Sequence, residues 1–111
     1  MRAQRLHALG VTSLRRAASA PDIPTVAEAG LPGYESVQWL GLLAPAGVPR
    51  EIVARLYEQS SAVLRSPAIS ERLAKDGADV VASSPEAFAA YIQSETLKWA
   101  KVLKSAGIQP E

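Results

Sequence analysis

Cysteine is absent from this sequence. That excludes disulfide staples, thiolate metal sites and thiol nucleophiles. Histidine occurs once, as His7, and a lone imidazole without a thiol argues against a metal centre. No apolar run approaches the ~20 residues that a membrane-spanning helix needs. Neither sign of charge dominates: 12 basic and 11 acidic residues leave a net charge of +1. Nucleic-acid affinity draws on clustered cations, and the nearest cluster here is the pair Arg15-Arg16. Nucleic acid and anionic membrane surfaces are therefore poor partners. The opening stretch Met1 to Arg5 is basic, but the apolar run behind it is short and interrupted by His7. It makes a poor signal-peptide core, so the sequence as written shows no export signal.

What remains is a soluble globular composition, 48% hydrophobic and 21% charged over 111 residues. That length fits one domain or a part of a larger one. Leu6 to Val11 reads as a short buried strand. Thr12 to Ala20 reads as a loop, and Pro21-Asp22-Ile23-Pro24 keeps the backbone extended. Thr25-Val26-Ala27-Glu28 has capping-box spacing and predicts one short helix stopped by Gly30. Val37 to Ala44 predicts a second strand, broken by Pro45-Ala46-Gly47.

The second half reads as helices. Pro49 suits the first position of a helix, whose inward face comprises Ile52, Val53, Leu56, Tyr57, Ser60, Val63 and Leu64. Ser66-Pro67 caps and opens another, with Ile69 and Leu73 inward and Gly77 as its stop. Asp79 to Ala82 is a third strand candidate. Ser84-Pro85-Glu86 opens the longest helix, with Phe88, Tyr91, Ile92, Trp99, Val102 and Leu103 inward and Gly107 as its stop. Lys101 and Lys104 complement the dipole of its last turns. This order indicates an α/β arrangement, helix-rich with about three short strands. Sheets usually hold about four to six strands, so the segment looks incomplete by itself.

Several stretches resemble one family. They are Arg5 to Ser13, Asp22 to Glu35, Trp39 to Pro49, Ser84 to Phe88 and Lys98 to Ile108. The run Ile23-Pro24-Thr25-Val26-Ala27-Glu28-Ala29-Gly30-Leu31-Pro32-Gly33-Tyr34 and the Ala44-Pro45-Ala46-Gly47 run carry most of the specificity. The sequence is similar to the tripartite tricarboxylate transporter receptors, also called Bug receptors. The resemblance covers nearly the whole chain, which would be the C-terminal part of such a receptor. It implies a two-lobed periplasmic-binding-protein-like fold closing on its ligand by hinge motion. It also implies export to the periplasm, a small organic carboxylate as ligand, two membrane subunits as partners, and no cofactor. On this resemblance, residues 1–35 end the second lobe, 36–44 cross between lobes, and 45–111 form a helical flank of the first lobe. One departure is Val48, where the family often has a threonine able to cap the next helix; that loss costs about 1 kcal/mol.

Carboxylates are met by hydroxyls, backbone amides and helix N-termini, and open α/β folds place ligands at strand ends. Thr12 and Ser13, after the first strand, are the donors this points to. Gln38 and Trp39, at the crossing, would line the cleft, against a core-packing role for the tryptophan. No catalytic residue is expected: Glu28, Glu35 and His7 are the nearest to an enzymatic set, and no spacing supports it. Glu95 interrupts the apolar stripe of the last helix and needs a partner, such as Arg72 or a backbone amide. Gly30-Leu31-Pro32-Gly33 matches a loop pattern of some RNA binders, but its apolar middle and the nearby Glu35 exclude that use. The expected function is that of a receptor fragment, not ligand-competent alone. The alternative is a self-associating remnant of a truncated receptor gene, a homodimer that buries its exposed helix faces against a second copy.

Overall fold

The structure, a computed structural model, describes residues 7–108. Its helices are α1 (Arg50–Leu64), α2 (Pro67–Lys75) and α3 (Pro85–Ser105). The chain divides into two compact units. One runs through Leu43 and takes in Ser66–Val80; the other takes in Ala44–Arg65 and the residues from Val81 onward.

Helix boundaries follow local chemistry. At the start of α3 the Ser84 hydroxyl accepts the Ala87 amide at 3.2 Å, and its carbonyl accepts Phe88 at 2.9 Å. At its end the amides of Gly107 and Ile108 return to the carbonyls of Lys104 and Leu103. That is a Schellman closure, and Gly107 supplies the positive φ of 70° it needs. Gly77 closes α2 in the same way. Two expected caps shift. Pro49 is the N-cap of α1 and not its first residue, so Val48 is not the capping position. Ser66 caps α2 through its carbonyl, which accepts Ile69 and Ser70, and not through its hydroxyl.

In the second unit α1 packs on α3. The less exposed residues of α1 are Val53, Tyr57, Ser60, Ser61 and Leu64, one face of the helix. The expected inward face was wider. Ile52, Leu56 and Val63 remain 48%, 57% and 58% exposed, about 100° around the helix from the packed face. Trp99 and Val102 of α3, also expected inward, are exposed as well. One helix covers only one side of a broad apolar stripe; the other side needs a further layer.

The three expected strands do not form among the described residues. The only β-type pairing there is an isolated parallel bridge between Val11 and Thr25. Leu6 lies outside the described residues. Val37 to Ala44 has no ladder, and Leu40, Leu42 and Leu43 lie open to solvent. At Asp79 to Ala82 the run is broken by Ala82, which takes a φ of 44°; the Arg65 guanidinium donates to its carbonyl at 3.0 Å. An apolar run becomes a strand only when a neighbour about 4.8 Å away takes its backbone groups, and beyond the Val11–Thr25 bridge the described residues offer none. The fold is thus helix-rich without a sheet. No apolar side chain among the described residues is fully buried; the buried residues are Thr25, Ser61 and Glu95. No helix among them is long and apolar enough to cross a membrane.

Candidate functional site

The site residues expected from sequence all fall in the first unit, around one polar knot. Its centre is Thr25, with no exposed surface. The Glu28 amide donates to the Thr25 hydroxyl and the Thr25 amide donates to Glu28 Oε2, each at 3.0 Å. This is the capping box expected from sequence. The segment is nevertheless a single turn and not a helix: Ala29 reaches Thr25, then Gly30 and Leu31 return to Ala27 and Val26. Gly30 takes a φ of 130°, which ends the turn at once.

The knot holds the loop that carries Thr12 and Ser13. The Val11 amide donates to the Pro24 carbonyl and the Val26 amide to the Val11 carbonyl, both at 2.9 Å. Gly10 lies against Val26, where a Cβ would come within 3.3 Å of Cγ2. The Ser36 amide donates to the Thr12 carbonyl at 2.9 Å. Thr12 is therefore fixed through its backbone while its side chain stays exposed. Ser13 is half-buried, and its hydroxyl donates to the Arg15 carbonyl at 2.7 Å. That proton is committed, so Thr12 is the freer donor of the two. The Ser36 bond brings the stretch carrying Gln38 and Trp39 to the Thr12 loop. The Gln38 side chain is exposed, and Trp39 is 39% exposed, short of core burial.

Sequence reading missed Arg16. Its Nε donates to Glu28 Oε2 at 2.9 Å, and a terminal nitrogen donates to the Pro21 carbonyl at 3.3 Å. The pair is about half exposed on both sides. The Thr25 amide first, and Arg16 second, hold the Glu28 carboxyl below its ordinary range. Glu28 is thus committed as an acceptor, and His7 is exposed.

In the second unit, Glu95 finds neither Arg72 nor a backbone amide. It accepts Lys98 Nζ at 2.8 Å and Trp99 Nε1 at 2.9 Å, partners three and four residues along α3. Lys98 first, then Trp99, holds its carboxyl below the ordinary range. This unit also carries an open groove of about 590 Å³, with Val53, Tyr57 and Pro85 against Arg50 and Glu86. None of the residues expected to bind ligand lines it.

Comparison with known proteins assigns the chain. Residues 1–108 match the tripartite tricarboxylate transporter family receptor. The chain is 42% identical over 102 residues to a UPF0065 protein in the tcbD-tcbE intergenic region of Pseudomonas sp. strain P51, covering 91% of this chain and 30% of that protein. It is 32% identical over 107 residues to protein BugT of Bordetella pertussis, covering 96% of this chain and 33% of BugT. Among solved structures, R. palustris Rpa4515 with adipate superposes with a TM-score of 0.79 at 39% identity, over 93% of this chain and 34% of that one. The periplasmic binding protein BugD superposes with a TM-score of 0.78 at 36% identity, over 92% and 35%. The chain spans about a third of the length of these relatives, and it belongs to the tripartite tricarboxylate transporter family of receptors.

Proposed function

We propose that the chain is the C-terminal part of a solute-binding receptor that captures a small organic carboxylate for delivery to two membrane subunits. The observation that carries this reading is the pinned Thr12 loop in a member of this family: a neutral hydroxyl donor, exposed, on backbone fixed from both sides. Neutral donors meet a carboxylate without the cost of burying a cation. Adipate, the acid held by the similar R. palustris protein, exemplifies the ligand class. In this reading residues 1–35 end the second lobe, 36–44 cross between lobes, and 45–111 flank the first lobe. Thr12 is the leading ligand donor, Ser13 is the second donor once its hydroxyl leaves the Arg15 carbonyl, and Gln38 and Trp39 line the cleft. The chain performs no chemistry on its ligand.

Two-lobed receptors close by hinge motion around their ligand, and this chain spans about a third of its relatives. Calorimetric titration of the isolated chain with adipate, citrate and benzoate is therefore expected to give no measurable heat of binding. Saturable micromolar binding by the chain alone would contradict this. A stable dimer in a solution-mass measurement would favour the self-associating alternative, with the exposed faces of α1 and α3 covered by a second copy.

A further inference from the structure

We propose that Arg16 is a positioning residue for the ligand loop: its guanidinium bridges Glu28 and Pro21 and so fixes the far end of the loop that presents Thr12. The inference rests on the reading of Thr12 as a ligand donor. The near end of this loop is pinned at Val11 by two backbone bonds and at Thr12 by Ser36. The chain then leaves that frame through Ser13, whose hydroxyl folds back onto Arg15. Without a second anchor, residues 13–16 would swing about the Thr12 carbonyl. Arg16 supplies it, reaching twelve residues along the chain to Glu28 and five to Pro21.

A loop anchored at both ends loses little further freedom when it closes on a ligand, and that raises affinity. The choice of arginine also matters. Two N–H groups of one planar guanidinium point at two acceptors, a carboxylate and a carbonyl. A lysine ammonium supplies the charge without that fixed fork. The pairing has a second consequence. Arg16 spends its charge on Glu28, its Nε 2.9 Å from Oε2.

Two measurements test the assignment. In the chain itself, the Thr25 amide donates to Glu28 and reports its titration by NMR. In Arg16→Gln the midpoint of that titration moves up toward the ordinary carboxylate value. The Val11 and Ser36 amides exchange on the order of tenfold faster, while those of α1 and α3 do not change. Residues 7–108 are then placed in the adipate-binding R. palustris protein in exchange for its matching third. There Arg16→Gln weakens adipate about tenfold, and Arg16→Lys recovers less than half of that loss in free energy. An unchanged midpoint with unchanged exchange overturns the assignment, as does adipate affinity within about twofold of the parent chimera in both variants. A parent chimera that fails to bind adipate counts against the receptor reading of Thr12. The amide measurements then still decide whether Arg16 fixes the loop.

Discussion

The knot between Gly10 and Ser36 and the α1–α3 pair are organised by different forces. In the knot, backbone and side-chain hydrogen bonds link segments far apart in sequence: Val11 to Pro24 and Val26, Thr12 to Ser36, Arg16 to Glu28. In the α1–α3 pair, the hydrogen bonds of Glu95, Ser60 and Ser61 run along their own helices. What those helices have in excess is apolar surface: Ile52, Leu56 and Val63 on one, Leu97, Trp99 and Val102 on the other. Polar groups find partners one at a time, within a helical turn or across a loop. Apolar burial needs whole layers, and no apolar side chain here reaches it fully. Among the described residues the polar contacts of the knot close within the chain, whereas much of the apolar surface of α1 and α3 stays exposed.

The largest expected contrast separates the two settings of the same residues. Replacing Leu40 and Leu42 by Ala, at 92% and 80% exposure, should shift the stability of the isolated chain by less than about 0.5 kcal/mol. In the chimera with the R. palustris protein each replacement should cost about 2–4 kcal/mol in urea denaturation, the ordinary range for a buried leucine. Equal effects in both settings would break the comparison. Thr25→Val tests the knot. It removes a hydroxyl cap at zero exposure and should cost about 1–2 kcal/mol, read by Trp39 fluorescence in urea. Gly30→Ala sharpens the point. A Cβ there meets nothing, so the expected cost of about 1 kcal/mol comes from the backbone conformation alone. The smallest effect is that of pH. Glu28 and Glu95 both have carboxyls held below the ordinary range. Their pairings stabilise fully above the ordinary carboxylate pKa and are lost as pH falls through the lowered values. The urea midpoint should hold between pH 7 and 5 and then decline; a midpoint that rises on acidification would reverse the sign of both pairings.

Much of this was legible in the sequence where one segment determines its own structure. The Thr25–Glu28 box, the Ser84 cap and the glycine closure at Gly107 depend on residues within a turn of one another. The strands were not legible, because pairing belongs to two segments: an apolar run such as Leu40-Gly41-Leu42-Leu43 states a preference and names no neighbour. Arg16 was invisible for a similar reason, since a contact across twelve residues of loop has no periodicity. Glu95 shows the opposite error. Its partners Lys98 and Trp99 stand at helical spacing and could have been read directly, ahead of the distant Arg72. Thr12 and Ser13, the proposed donors, were separable only once the Ser13 hydroxyl was seen to turn onto Arg15.

The heat-capacity change on unfolding measures apolar surface leaving the interior. Scanning calorimetry of the isolated chain should give a value clearly below the roughly 12–15 cal/mol/K per residue of ordinary globular domains. A value within that range, at the concentration where the chain is monomeric, would mean that it buries a full apolar interior unaided and would contradict the account.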